Sequence, residues 1–216
     1  MKNDFKGLLI LFVAFWAMAI SSCGSKSKDP KPKEDPNSVT INGTAYTTVT
    51  IGSQVWTTVN YKGASGYTAS ETAIYGSYFT RSQANAINLP AGWRVPTIAD
   101  YSMLIHNYTS VMDGQGFYYA FSGETAPLCS SSGWTNTQGT NTSGFNALPA
   151  GSYAVGGGQI FYLPEKDALF VTSDFRPPSE TQPAIYSVQI SPNIAAIIQR
   201  PDPEARALSV RFVKDK

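Results

Sequence analysis

The chain has 216 residues, enough for one domain or at most two. Charged residues are only 14% of it, and 16 Lys and Arg against 15 Asp and Glu leave a net charge of +1. That balance excludes a nucleic-acid binder working through a basic field, and one histidine with two cysteines excludes a multi-histidine metal site or a disulfide-rich scaffold.

Residues 1–22 read as a leader rather than as part of the fold. Lys2 and Lys6 precede an apolar run from Gly7 to Ile20. As a helix that run spans about 21 Å, short of the roughly 30 Å of a bilayer core. A signal peptide fits better than a membrane span. The run ends Ile20-Ser21-Ser22-Cys23, which resembles a bacterial lipobox, and the resemblance implies lipidation at Cys23. The segment from Gly24 to Ser38 holds four Lys, three acids and three Pro, and no side chain large and apolar enough for a core. Such a chain is solvated and extended, reaching about 45 Å at about 3.1 Å per residue. Residues 23–38 are thus expected to tether residues 39–216 to a membrane.

The folded part opens with strand-like alternation. Val39-Thr40-Ile41 runs into Asn42-Gly43, a tight hairpin signal. Tyr46 to Ile51 follows, then Gly52-Ser53, then Val55 to Val59; the three runs predict a meander. A short helix is expected over Tyr78 to Ile87. A second is marked by Pro96-Thr97, with Thr97 as N-cap, Asp100 three residues on, and Tyr101, Leu104, Ile105 and Tyr108 at helical spacing. Gly114 to Gly158 reads as loops and short strands. Strand-like runs return at Ala168–Thr172, Ala184–Ile190, Ile194–Ile198 and Ala207–Val213. Strands at both ends with helices between them predict an α+β fold.

Several stretches resemble the major paralogous domain first noted in Fibrobacter succinogenes (FISUMP), common in surface proteins of that group and of Bacteroidetes. They are Val49-Thr50-Ile51-Gly52-Ser53-Gln54-Val55-Trp56, Leu89-Pro90-Ala91-Gly92-Trp93-Arg94-Val95-Pro96-Thr97 and Gly133-Trp134-Thr135-Asn136. Asn141 to Gly151 and Leu208 to Val213 complete the set. The resemblance implies a C-type-lectin-like fold of small antiparallel sheets, two flanking helices and a long irregular loop region, its first and last strands paired. The family often carries cysteines where this chain has Leu89 and Phe212, so a hydrophobic contact is expected in place of a disulfide.

Candidate chemistry is sparse. Beyond Cys23 the only thiol is Cys129, expected to be inert and partly buried, because no neighbour lowers its pKa. His106 is expected at the surface. The paired cysteines needed by the formylglycine-generating enzymes, which the Pro96-Thr97 helix also resembles, are missing. Gln182-Pro183-Ala184 lacks the acid of a calcium-lectin motif, and Gly156-Gly157-Gly158 reads as a turn. No catalytic residue, metal ligand or cofactor is assigned. The remaining lead is aromatic: Tyr118, Tyr119, Tyr153 and Phe175, with Arg176 as a polar contact, are the candidate ligand-binding residues. The expected partners are the membrane, through the N-terminal lipid, and an extracellular glycan or protein, not nucleic acid. The expected function is an outer-membrane lipoprotein presenting a non-catalytic binding module. An accessory or tip subunit of a surface appendage is the alternative, and an enzyme ranks last.

Overall fold

In a computed structural model the described residues are 37–68, 70–109, 111–115, 118–122, 124–156, 161–162, 164–176, 184–200 and 204–216. The chain divides into two units, Met1–Lys33 and Glu34–Lys216, and every described residue belongs to the second. The leader, Cys23 and nearly all of the tether lie outside the described residues.

The predicted meander forms β1 (Ser38–Ile41), β2 (Thr44–Ile51) and β3 (Gln54–Thr57). Ile41 faces Thr44 across a two-residue turn in which Asn42 has φ 48° and Gly43 φ 81°. Positive φ at both central residues is what a type I′ hairpin demands, and Asn-Gly supplies it at least cost. The next turn places Gly52 at φ 59° before Ile51 meets Gln54. The last strand, β13 (Val213–Asp215), pairs antiparallel with β3 and closes a four-stranded sheet in the order β1-β2-β3-β13. The last strand thus joins the N-terminal sheet, but through β3; this corrects the expected pairing of first and last strands, because β1 lies at the opposite edge, paired with β2.

A 3-10 turn, Ser70–Tyr75, leads to β4 (Tyr78–Phe79) and α1 (Arg81–Asn85). This corrects the helix expected over Tyr78 to Ile87. Tyr78 and Phe79 pair instead with a distant strand, and Thr80 starts the helix by accepting from the Gln83 N–H at 3.3 Å. The second helix, α2 (Ile98–His106), is as predicted: Thr97 caps it, Asp100 completes the capping box, and Tyr101, Leu104 and Ile105 are buried. Tyr108 falls just beyond its end.

A larger sheet holds β5 (Val111–Gln115), β6 (Tyr118–Ser122), β7 (Ser152–Ala154), β8 (Phe161–Tyr162), β9 (Ala168–Arg176), β10 (Ala184–Ser191), β11 (Ile194–Arg200) and β12 (Arg206–Ser209). Their order is β5-β6-β11-β10-β9-β12-β7-β8, with β4 attached to β12. The architecture is α+β, but one sheet is not small: it has nine strands and is antiparallel except where β12 meets β9 in parallel.

The run Ala207–Val213 is not one strand. It breaks at Val210-Arg211-Phe212, where the chain leaves the large sheet for the small one. The Tyr61 N–H donates to the Val210 carbonyl at 2.9 Å and the Thr57 N–H to the Phe212 carbonyl at 3.0 Å.

α2 packs on β9 and β10 over the main core. Trp56 lies 5.1 Å from Tyr101 and 5.5 Å from Phe145, ring centre to ring centre, and Phe170 lies 5.8 Å from both Tyr101 and Phe145. A second cluster contains Val39, Ile41, Tyr61, Phe79, Leu208 and Phe212, and partly buried Leu89 packs against it. Leu89 and Phe212 thus share one apolar cluster.

Candidate functional site

One end of the large sheet carries a cleft of about 130 Å³. Three segments far apart in sequence build it: Trp134, Asn136 and Thr137; Glu165 and Lys166 in the turn before β9; and residues 191–193 in the β10–β11 hairpin.

Trp134 is the floor. It is 5% exposed, and its indole N–H donates to the Ser130 carbonyl at 2.9 Å and to Ser130 Oγ at 3.0 Å. The Trp134 N–H donates to Gln138 Oε1, and the Gln138 amide donates back to the Trp134 carbonyl. Gly133, at φ 94°, lets the chain turn into this arrangement. The Thr135 N–H and hydroxyl both donate to the Glu165 carbonyl, at 2.8 and 3.2 Å. The Glu165 N–H donates to the Pro149 carbonyl at 2.9 Å. Glu165 itself sits at φ 63°, a left-handed conformation that costs a residue with a Cβ about 1–2 kcal/mol. The strained residue lies in the wall of the cleft, and backbone hydrogen bonds hold it there.

Asn136, Thr137, Glu165, Lys166 and Asn193 are exposed, and their side chains hydrogen-bond to no other described group. The next residue, Asp167, turns inward. Burial pushes its carboxyl pKa up, against the Gln189 amide, which donates to it at 2.6 Å, and against nearby Lys166.

None of the five candidate ligand-binding residues is among the described residues that line this cleft. Tyr118 and Tyr119 are on β6, opposite Ile198 and Ile197 of β11. Both lie in a regular strand rather than in an irregular loop. Phe175 and Arg176 end β9, opposite Ile185 and Ala184 of β10. With β10 and β11 intervening, β9 is about 14 Å from β6. Phe175 is 38% exposed, and the Arg81 guanidinium sits 4.6 Å from its ring centre while donating to the Ser173 carbonyl at 2.9 Å. Tyr153 is half-buried and stacked on Tyr67 at 4.9 Å and 15°, against the cluster of Tyr75, Tyr78, Ala150 and Ala207. It packs rather than presents a free face.

Sequence reasoning passed over Asn136, Thr137, Glu165, Lys166 and Asn193. The available signal was Asn136 beside Trp134 in Gly133-Trp134-Thr135-Asn136, a stretch whose Trp134 lies in the main core.

The thiol and the imidazole stand apart from the cleft. Cys129 is buried in the main core, and burial pushes its thiol pKa up, away from the reactive thiolate. His106 is exposed at the end of α2, with Nδ1 2.6 Å from the Ser102 carbonyl. Among the described residues no group of three or more His, Cys, Asp or Glu side chains is placed to hold a metal ion.

The family model described as the Fibrobacter succinogenes major domain matches residues 49–214. No curated protein and no solved structure matches the chain.

Proposed function

The chain belongs to the Fibrobacter succinogenes major domain family, and on that premise we propose that it is an outer-membrane lipoprotein, anchored through Cys23, presenting a non-catalytic binding module on a C-type-lectin-like scaffold to a ligand outside the cell. The observation that carries the binding reading is the cleft beside Trp134, where Asn136, Thr137 and Asn193 offer amide and hydroxyl groups engaged with no other described group. Neither His106 nor Cys129 lines it. The anchoring reading rests on the apolar leader, the lipobox-like residues before Cys23 and the charged, proline-containing segment that follows.

Two measurements on cells expressing the full chain test this. Labelled palmitate is expected in the wild type and absent from Cys23→Ala, which moves to the soluble fraction; unchanged labelling refutes the anchor. Protease added to intact cells is expected to remove the folded part. Full protection would place the protein inside the envelope and refute an extracellular ligand. Co-purification with appendage subunits, with no ligand for the cleft, would favour a structural role instead.

A further inference from the structure

We infer that the cleft beside Trp134 takes one uncharged sugar residue, the accessible end of a glycan; this names the ligand class of the binding module proposed above and rests on that reading. Size comes first. A space of about 130 Å³ is the volume of about four waters at roughly 30 Å³ each, so the open cleft seats part of one sugar ring, with the rest of the glycan in solvent.

The lining chemistry comes second. Asn136 and Asn193 each carry an amide that both donates and accepts, and Thr137 a hydroxyl that does the same. Sugar hydroxyls need that dual character, since each one is donor and acceptor at once. Glu165 adds an acceptor and Lys166 a donor. As neighbours of opposite sign they leave the cleft without net charge, so it has no preference for a sulfate, phosphate or uronate. Trp134 is 5% exposed and its indole N–H is engaged with Ser130, so recognition runs through hydrogen bonds rather than ring stacking.

The cleft is also built beforehand. The Thr135–Glu165 backbone bond ties two of its three segments together, and the Glu165–Pro149 bond fixes one of them to the 141–151 loop, before any ligand arrives. Fixing polar groups in place beforehand lowers the ordering cost of binding.

The full chain in detergent micelles, applied to an array of uncharged oligosaccharides ending in glucose, galactose, mannose, fucose or N-acetylhexosamine, alongside sulfated and uronate-terminated ones, tests the inference. Binding is expected to at least one uncharged end group. It should weaken about tenfold or more in Asn136→Ala and in Asn193→Ala, each removing one or two hydrogen bonds. Thr137→Val should weaken it in the same sense, while Phe175→Ala leaves it unchanged. These positions are exposed, so unaltered thermal melting verifies that each variant folds. Retention of sulfated or uronate ends alone overturns the ligand class. Binding that survives both asparagine variants, or is lost in Phe175→Ala, overturns the site while leaving the binding module intact. If no glycan binds, the sugar inference falls. If the cleft then also crosslinks to no cell-surface component, the binding reading falls with it.

Discussion

Asp100 shows how much one short side chain does here. Its Oδ1 accepts from Gln54 Nε2 at 2.8 Å and from Arg94 Nη2 at 2.6 Å. Its Oδ2 accepts from Arg94 Nε at 3.1 Å and from the Thr97 N–H and hydroxyl, each at 2.9 Å. Gln54 in turn accepts from the Trp56 indole at 3.2 Å, and Arg94 reaches on to Asp215 at 2.8 Å. One carboxylate therefore joins the start of α2 to both β3 and β13. Burial opposes its ionisation, but the bonds from Arg94 and Thr97 outweigh that and hold its carboxyl below the usual range. A carboxyl depressed in the folded state stabilises above its unfolded pKa of about 4 and loses that stabilisation as pH falls through the folded value. Asp100→Asn is expected to cost about 2 kcal/mol at pH 7. Urea melts should show the gap to wild type closing as the pH drops below about 4; a gap independent of pH would mean that the charge contributes nothing.

Among the elements, the local ones were legible. Asn42-Gly43 and Gly52 turn as their positive φ values require, and α2 starts where Thr97 and Asp100 reciprocate. In each case the information lies within four residues. The segment 125–147 is different, because it is held by backbone bonds that carry no signature in residue type. The Gly139 N–H donates to the Ser130 carbonyl at 3.1 Å, the Asn141 N–H to the Cys129 carbonyl at 2.9 Å and the Ala147 N–H to the Leu128 carbonyl at 2.8 Å. The loop folds back so closely that a Cβ on Gly139 would stand 2.3 Å from the Cys129 carbonyl oxygen. Gly139→Ala is expected to destabilise by about 1–3 kcal/mol, since backbone rather than a yielding side chain must move. Because the same loop covers Cys129, a thiol reagent should label native Gly139→Ala faster than wild type. Equal stability and equal labelling would show that the loop is not packed this tightly. The cleft was hidden for the same reason: residues 134–137, 164–166 and 191–193 meet through backbone contacts and a hairpin, not through a motif. Among the aromatic candidates, composition does not separate a stacked Tyr153 from an exposed Phe175; the tertiary structure does.

For the molecule as a whole, Arg211 is the central tie. It is fully buried and meets amide and carbonyl oxygens instead of a carboxylate. Nε donates to Asn60 Oδ1 at 2.7 Å, Nη1 to the Thr57 and Phe145 carbonyls, each at 2.8 Å, and Nη2 to the Asn146 carbonyl at 2.7 Å. The guanidinium lies 5.0 Å from the Phe145 ring centre and 5.6 Å from that of Phe170. Burial lowers its pKa to about 9, which still leaves it a cation at neutral pH. It thereby links the small sheet, the 141–151 loop and the large sheet at the point where the last strand changes sheets. Arg211→Ala is expected to cost about 3–5 kcal/mol, because it removes the guanidinium donor from three buried acceptors and one half-buried one. Arg211→Lys should recover only a minority of this, since an ammonium cannot spread its donors over that span. Denaturation midpoints from tryptophan fluorescence measure both; a loss under about 1 kcal/mol for Arg211→Ala would remove this account.

The family-matching stretches can now be given a physical meaning. Gln54, Trp56, Arg94, Thr97, Phe145 and Arg211 all belong to these internal networks and describe a scaffold, whereas Asn136 of the Gly133–Asn136 stretch lines the cleft. The sequence by itself determined the turns, the cap of α2, most strands and the α+β class, because period and turn chemistry act over a few residues. Only the tertiary structure decided where Ala207–Val213 divides, what Arg211 bonds to and which polar groups share a cleft. Those outcomes depend on backbone contacts between distant segments, and residue type alone does not announce them.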